Sequence, residues 1–166
     1  MPRALYPGTF DPFTLGHLDV LSRAVAQFDE VEVTVAVNSS KQTLFTADER
    51  CDLIRACAAK AGLTGVTAVA FEGLLVDHAK ASGASVLVRG LRQVSDFDYE
   101  FRMALANRRL SPGLETVFLM TSEAHAFVSA SIVRDVHRWG GEVGLFVPPI
   151  VADALAQKAG RGGIRS

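Results

Sequence analysis

Residues Tyr6–His17, "YPGTFDPFTLGH", join a short apolar run to an amphipathic helical pattern. Gly8 has no side chain where the loop leaves the predicted strand, so another group can approach the backbone closely, and two prolines stiffen the loop. Thr14 can cap the helix, which places His17 in its first turn. Because a helix N-terminus attracts phosphate and disfavours imidazolium, we expect a neutral His17 that donates hydrogen bonds. From the spacing alone, a histidine exposed beside a structural turn is an equal alternative.

Beyond this junction, strand-like and helix-like segments alternate five times. The alternation predicts right-handed βαβ units. We therefore predict an α/β fold: a Rossmann-like, doubly wound, five-stranded parallel sheet in a single domain of residues 1–160, with a disordered tail at 161–166. The predicted strands are 3–6, 31–37, 66–71, 85–88 and 116–120. The predicted helices are 18–28, 46–61 with "TADE" as a capping box, 74–82, 96–110, 129–139 and a terminal helix that starts with proline.

Composition argues against several classes of protein. The 166 residues suit one domain. The chain has 17 Lys and Arg and 18 Asp and Glu, so it lacks the excess of positive charge that is typical of a nucleic-acid-binding protein. The sequence shows no signal peptide and no apolar run near the ~20 residues that cross a bilayer. Cys51 and Cys57 are not spaced as CxxC, and we expect them to be reduced packing residues. A cytoplasmic protein without a membrane partner is expected.

Three further segments are predicted at the carboxyl ends of strands, where sheets of this kind bind ligands. They are "SSK" at 39–41, "LVRGLR" at 87–92 and "VSASIVR" at 128–134. Each also has an ordinary interpretation, as a solvated lysine, two surface arginines and a serine N-cap. Together with His17 they supply cations, hydroxyl groups and helix N-termini but no obvious covalent nucleophile. That set suits phosphoryl or nucleotidyl transfer, which depends on positioning and charge stabilisation.

The sequence lacks two common nucleotide-binding motifs. No GxGxxG follows the first predicted strand, and GxxxxGK[ST] is absent, so ordinary dinucleotide binding and P-loop chemistry are disfavoured. No cluster of carboxylates suggests a metal held by the protein. Any Mg²⁺ would therefore arrive with the phosphates of a nucleotide.

Four stretches resemble the bacterial phosphopantetheine adenylyltransferases, a family of the nucleotidyltransferase superfamily with a (T/H)xGH motif. The stretches are "YPGTFDPFTLGH", "RGLRQVSDFDYE", "NRRL" and "VSASIVR", in the order that the family has them. The resemblance extends from about Ala4 to Leu155. It implies an enzyme of coenzyme A biosynthesis that transfers AMP from ATP to 4′-phosphopantetheine, giving dephospho-coenzyme A and pyrophosphate.

The resemblance also implies roles for individual residues. His17 would stabilise the transition state, and Lys41 and Arg92 would be further catalytic residues. The phosphopantetheine-binding residues would be Thr9, Lys41, Leu75 and Arg89. The ATP-binding residues would be Thr9, Phe10, His17, Gly90, Leu91, Arg92, Glu100, His125, Ala126, Phe127, Val128, Ser129, Ala130 and Ser131. No residue would ligate a metal, since Mg²⁺ would come with ATP. A homohexamer and feedback by coenzyme A are implied in the same way.

Two positions depart from the family pattern and leave their ATP contacts open. Ala130 replaces a hydroxyl residue of the ISSS or ISST motif, and His125 stands where Trp or Tyr is common. Two alternatives to the family assignment remain. Another small nucleotidyltransferase, such as a nicotinate-mononucleotide adenylyltransferase or a glycerol-phosphate cytidylyltransferase, usually has histidine where this chain has Thr14. A non-catalytic nucleotide-binding regulator would be expected to lack His17 or the cations.

Overall fold

The computed structural model describes residues 2–162, and within them the chain forms one sheet with helices on both faces. The strands are β1 Arg3–Gly8, β2 Glu30–Ala36, β3 Val66–Phe71, β4 Val86–Leu91 and β5 Glu115–Met120. The α-helices are α1 Leu15–Val25, α2 Ala47–Lys60, α3 Leu75–Ser82, α4 Val94–Leu110, α5 Ala130–Arg138 and α6 Pro149–Gly162, with a 3₁₀ turn at Glu123–His125. The strands are all parallel, in the order β3-β2-β1-β4-β5. The predicted fold class is confirmed.

The central strand β1 is apolar on consecutive residues because helices cover both faces of the sheet. Ala4 and Leu5 are both fully buried, although neighbouring side chains of a strand point to opposite faces. Leu5 packs with Val76 and Ala79 of α3. Ala4 belongs to the larger core, which also contains residues of α1, α2, α5 and α6. Two cores on opposite faces of one sheet are the layered arrangement of a doubly wound fold.

The sheet opens between β1 and β4. These strands pair only at Ala4 with Val86 and at Leu5 with Leu87, whereas β1 pairs with β2, and β4 with β5, over six residues each. The carboxyl halves of β1 and β4 are therefore separated from each other. This is the point where the strand order reverses, and ligands of open α/β sheets bind at such a point. The loops that follow both strands face one cleft.

The predicted helix caps are formed by the predicted side chains. Thr14 caps α1, and Thr46 forms the capping box of α2: the Glu49 N–H donates to its Oγ1 at 3.2 Å, and the Glu49 carboxylate accepts from the Thr46 N–H at 2.8 Å. Ser129 Oγ accepts from the Ile132 N–H at 3.2 Å at the start of α5. Each side chain satisfies a backbone donor that the helix itself leaves unpaired, so local chemistry sets where these helices begin.

Two strands, β1 and β4, continue beyond the carboxyl ends that the sequence pattern predicts. β1 continues through Gly8 and β4 through Leu91, because their backbones pair with β2 and β5 to the end. The predicted limits at residues 6 and 88 were therefore too short. Arg89 and Gly90 consequently lie on a strand, which fixes the direction of the arginine side chain more firmly than a loop would.

The C-terminal end of the chain is described as far as α6. The first two residues of the predicted tail, 161 and 162, are the last two of that helix, and residues 163–166 lie outside the described residues. The division into a domain at 1–160 and a tail at 161–166 stays a prediction. Across residues 2–162, no helix combines the length and the hydropathy that are needed to cross a membrane.

Candidate active site

A cleft of about 610 Å³ opens at the carboxyl edge of the sheet, between β1 and β4. Its walls come from the segment after β1, the loop after β2, the end of β4 and the starts of α4 and α5. The segments that the sequence placed at one edge therefore surround one cavity. The predicted site residues on its wall are Thr9, Phe10, His17, Lys41, Arg89, Gly90, Arg92, Glu100, Val128, Ser129, Ala130 and Ser131.

The His17 ring is held by the N-terminal cap of α1. The Thr14 backbone N–H donates to His17 Nδ1 at 3.0 Å, and the His17 N–H donates to Thr14 Oγ1 at 3.2 Å. The ring stacks on Phe13 with 5.7 Å between ring centroids, and Phe10 meets it edge-on at 5.0 Å. Because Nδ1 accepts a hydrogen bond, the proton of the neutral imidazole is on Nε2. Nε2–H is then the group that His17 can donate to a ligand.

The charge state of His17 follows from its surroundings. Burial and the positive charges of Arg92 and Arg89 lower the pKa of the His17 imidazole from 6.5 to about 3. The sequence predicted a neutral ring from the helix N-terminus, and the ring is neutral near pH 7. The main cause is burial, however, with the two guanidinium groups next. His17 therefore acts near neutral pH as a hydrogen-bond donor without a charge of its own.

Arg89 carries a positive charge into the cleft but already has protein partners. Its Nε and Nη2 donate to the Glu100 carboxylate at 2.8 and 2.6 Å, and its Nη1 donates to the Pro7 carbonyl at 2.6 Å. This bidentate ion pair connects β4 to α4, and the Glu100 side chain is only 12% exposed. Nη1 and Nη2 each carry a second hydrogen, which is available to an anion. The pair therefore fixes the direction of Arg89 and leaves it two donors.

Two further arginines of the cleft wall, Arg92 and Arg134, contact neighbouring segments of the cleft. Arg92 donates to the Val128 carbonyl at 3.1 Å. Arg134 donates to the Asp11 carbonyl at 2.6 Å and to Ser131 Oγ at 3.3 Å. These bonds bring guanidinium groups next to the N-terminus of α5, whose backbone N–H groups also favour anions. The arrangement can bind a polyphosphate.

Lys41 lies at the rim of the cleft. It is exposed in the loop after β2, and its neighbours Gln42 and Thr43 also line the cavity. The loop turns at residues 38–41, where the Lys41 N–H donates to the Asn38 carbonyl at 3.0 Å. Lys41 therefore lies on the wall that the loop after β2 forms, whereas Arg89 comes from β4.

Several predicted ligand residues do not lie on the wall of the cleft. Leu75 packs against the smaller core on the α3 side of the sheet, and Leu91 pairs in the sheet with Met120. In the segment 125–127, His125 ends the 3₁₀ turn and Phe127 packs edge-on against Phe146. The resemblance implied ligand contacts for all of these residues. Their predicted contacts with the ligands stay predictions.

Some residues of the cleft wall were missing from the predicted set. Asp96 and Tyr99 are on the same face of α4 as Glu100, and the three- and four-residue spacing within "DFDYE" could have revealed them. Tyr6 and Asp11 belong to the opening segment and also line the cavity. Their side chains are only 4% and 3% exposed. No local sequence pattern distinguishes a buried residue of a cleft from one of the core.

The donors around the cleft do not suit a metal held by the protein. Among the described residues, no group of three or more His, Cys, Asp or Glu side chains is placed to hold a metal ion. The Asp11 carboxylate accepts the N–H groups of Leu44 and Phe45, and the Glu100 carboxylate is paired with Arg89. A divalent cation would have to bring most of its oxygen ligands from a substrate.

Comparisons with solved structures agree with this geometry at the level of the fold. The chain matches a bifunctional NMN adenylyltransferase/ADP ribose pyrophosphatase from Francisella tularensis at a TM-score of 0.72 and 15% identity, covering 95% of this chain and 49% of that chain. It matches the Plasmodium falciparum nicotinic acid mononucleotide adenylyltransferase at a TM-score of 0.70 and 13% identity, covering 93% and 94%. At such identities the likeness shows the shared architecture alone.

Comparisons of the sequence are more specific. Residues 5–136 match the model of the cytidylyltransferase-like family. A phosphopantetheine adenylyltransferase from Methylacidiphilum infernorum (isolate V4) is 48% identical over 161 residues, which cover 97% of this chain and 93% of the relative. The matched region includes the cleft and every segment around it. The chain therefore belongs to the cytidylyltransferase-like family and, within it, to the phosphopantetheine adenylyltransferases.

Proposed function

We propose that this protein transfers AMP from ATP to 4′-phosphopantetheine, which yields dephospho-coenzyme A and pyrophosphate. Near full-length identity of 48% to a phosphopantetheine adenylyltransferase is the observation that carries the proposal. The cleft supports it, because a neutral imidazole donor and several cations from separate elements line one cavity. Such a set stabilises charge on a reacting phosphorus without a covalent intermediate on the protein.

In the proposed reaction, an oxygen of the 4′-phosphate attacks the α-phosphorus of ATP. A new P–O bond forms there, and the bond between the α-phosphorus and the oxygen bridging to the β-phosphate breaks. Pyrophosphate leaves with that bridging oxygen and its electron pair. The His17 Nε2–H would donate to a non-bridging oxygen of the α-phosphate, where negative charge grows. A donor that the protein already holds in place suits this role, because it is oriented before the charge develops.

The two substrates would meet at the opening between β1 and β4. Arg89 of β4 and Lys41 of the loop after β2 would bind the 4′-phosphate, with the Thr9 hydroxyl close to both substrates. Arg92, Gly90, Phe10 and the start of α5 at 128–131 would bind ATP. Binding of the 4′-phosphate by two cations would hold the nucleophile in line with the α-phosphorus, which is the main requirement of this chemistry.

For Glu100 we propose a role in orienting Arg89, beside the ATP contact that the resemblance implied. Its carboxylate accepts two hydrogen bonds from Arg89, so it would orient the arginine for the 4′-phosphate. The missing hydroxyl at Ala130 would have a small effect on ATP binding. Ser129 and Ser131 flank it on the cleft wall, and the backbone N–H groups of the helix start are unchanged by the substitution.

Mg²⁺ would enter with the phosphates of ATP, since the carboxylates of the cleft are largely engaged with backbone N–H groups and Arg89. Bound there, it would neutralise part of the charge of the departing pyrophosphate. The residues of this chain would bind the outer phosphates through Arg92, Arg134 and the N-terminus of α5.

We further propose that the protein is a cytoplasmic homohexamer that responds to coenzyme A, as the family resemblance implies. One surface supports self-association. In α4, none of the 17 residues is buried, and large apolar side chains remain exposed along it and at the end of the adjacent strand β5. They are Val94, Phe97, Phe101, Met103, Leu105, Leu110 and Met120. An apolar surface of this extent is typical of a protein–protein interface.

Product identification tests the proposed reaction. Purified protein is incubated with ATP, Mg²⁺ and 4′-phosphopantetheine, and the mixture is analysed by mass spectrometry. We expect dephospho-coenzyme A and pyrophosphate in equal amounts. Pantetheine, which lacks the accepting phosphate, is the matched control and should give neither product. Turnover of nicotinate mononucleotide in place of 4′-phosphopantetheine would refute the proposed acceptor, and binding of ATP without any turnover would favour the regulator alternative.

A further inference from the structure

Arg50 of α2 lies behind the cleft rather than on its wall. Its side chain is 3% exposed, and it contacts none of the space that a substrate would fill. Within residues 2–162, no carboxylate lies within ion-pair distance of its guanidinium group. A buried guanidinium group without a carboxylate partner contributes little to stability compared with a well-packed apolar side chain. Its contacts suggest a different use.

The guanidinium group of Arg50 binds three separate pieces of backbone. Nη1 donates to the Thr9 carbonyl at 2.7 Å and to the Ala36 carbonyl at 3.1 Å, and Nε donates to the Thr46 carbonyl at 3.3 Å. Ala36 ends β2 and Thr46 precedes α2, so these two residues flank the loop that carries Lys41. One side chain thus holds both ends of the Lys41 loop and the segment after β1 that leads to His17.

Asp11 connects the same two segments from the other side. Its carboxylate accepts the N–H of Leu44 at 2.8 Å and the N–H of Phe45 at 2.9 Å, and its side chain is 3% exposed. Hydrogen bonds of a charged group with backbone, away from water, are among the stronger ones in a protein. The two loops are therefore joined by two buried connections, neither of which is needed to form the sheet or a helix.

An arginine is the side chain that can form this connection. Its planar fork has five N–H donors at fixed angles, whereas a lysine ammonium at the same place is a compact point charge with three donors. A lysine would keep the charge and most of the volume but could not meet three carbonyls that lie around a plane. A lysine variant therefore separates the role of the geometry from the role of the charge.

We propose that Arg50 is a positioning residue for adenylyl transfer: with Asp11, it fixes the Lys41 loop relative to the segment that carries Thr9 and His17. The inference rests on the proposed function, because one buried side chain would set the distance between the Lys41 loop and the segment that carries Thr9 and His17. Displacement of a reacting group by about 1 Å can lower a rate about 100-fold. The connection would hold that distance in the ligand-free protein.

The test compares Arg50→Lys with Arg55→Lys. Arg55 is on the same helix, and its Nη2 donates to the Ala68 carbonyl of β3 at 2.6 Å, so it makes a similar bond away from the cleft. Hydrogen exchange of the ligand-free proteins is followed by mass spectrometry in peptides that cover 9–17 and 37–46. Steady-state kinetics with ATP and 4′-phosphopantetheine are measured for both variants, alone and combined with Lys41→Ala.

We expect Arg50→Lys to raise exchange in both peptides and to lower kcat by about 10- to 100-fold, with the KM for ATP changed less than about twofold. In the Lys41→Ala background the same change should lower kcat by less than about threefold, because the group that it positions is absent. Arg55→Lys should do neither. Unchanged exchange at 37–46, or an equal fall in kcat in both backgrounds, would overturn the proposal.

The two proposals fail separately. Absence of AMP transfer by the wild-type protein would refute the proposed function. The exchange measurement needs no substrate, so it would still test the connection between the loops. If Arg50→Lys does not fold, Asp11→Asn weakens the second connection with Arg50 intact, because an amide nitrogen cannot accept one of the two N–H groups. It should raise exchange at 37–46 in the same way, and unchanged exchange in that variant would also overturn the proposal.

Discussion

The low pKa of His17 predicts a specific pH dependence of stability. The His17 imidazole has a pKa of about 3 in the folded protein against 6.5 for a solvated histidine. Between these values the unfolded chain binds a proton that the folded protein does not, so lowering the pH favours unfolding. The stabilising contribution is fully present above about pH 6.5 and is lost as the pH falls towards 3. Replacing His17 with Gln, which is close in size and does not titrate, should remove this contribution.

The magnitude follows from the two pKa values. At about pH 5 the unfolded histidine is about 1.5 pH units below its pKa, which corresponds to about 2 kcal/mol, while the folded ring is still neutral. The imidazole is partly accessible from the cleft, so this figure is an upper bound. Urea unfolding of both proteins at about pH 8 and about pH 5 gives the test. The wild-type protein should lose about 2 kcal/mol more than His17→Gln, and equal losses would refute the low pKa.

Three other substitutions test separate parts of the site. Lys41→Ala should raise the KM for 4′-phosphopantetheine about 10-fold or more, as for loss of one charge-assisted hydrogen bond, and should also lower kcat, because the accepting phosphate is held less well in line; an effect confined to the KM for ATP would contradict the assignment. Glu100→Gln leaves Arg89 partly buried without its carboxylate, so the free energy of unfolding should fall by about 1–3 kcal/mol in urea titrations; no change would mean that the pair does not stabilise the fold. Thr46→Ala removes the capping side chain of α2 and should lower the free energy of unfolding by about 1 kcal/mol by thermal or urea unfolding, and an unchanged stability would count against the capping box.

Most of the fold could be predicted because its signals are local. Apolar runs that alternate with amphipathic segments predict βαβ units, and the cap side chains Thr14, Thr46 and Ser129 each lie next to the helix that they start. Parallel strands then bring the segments after β1, β2, β4 and β5 to one edge. The position of the cleft, and most of its charged residues, could therefore be predicted from the sequence.

The contacts within the cleft were not predictable, because they join residues far apart in the chain. The Arg89 carboxylate partner is 11 residues away on another element, and the Arg50 contact with Thr9 spans 41 residues. In the sequence, Arg50 is one of several charged residues in "TADER", and no local pattern distinguishes it from a solvated arginine. Its burial depends on how α2 packs against the ends of β1 and β2, which no local pattern specifies.

The same limit applies to neighbouring residues within one motif. A motif predicts the same role for neighbouring residues. In a strand, however, adjacent side chains point in different directions. Gly90 therefore lines the cleft while Leu91, the next residue, does not. The Phe127 ring, in the segment that follows the 3₁₀ turn, likewise packs edge-on against the Phe146 ring.

The central claim is that a neutral His17 stabilises the α-phosphate while AMP is transferred to 4′-phosphopantetheine. The most direct measurement is the single-turnover rate of His17→Ala by rapid quench, with ATP and 4′-phosphopantetheine both saturating, beside the Kd of ATP for the same variant. We predict a rate about 10²- to 10³-fold below wild type, as for the loss of one transition-state donor, with the Kd of ATP nearly unchanged. A rate within about twofold of wild type, together with weaker ATP binding, would show that His17 binds the ground state and would contradict the account.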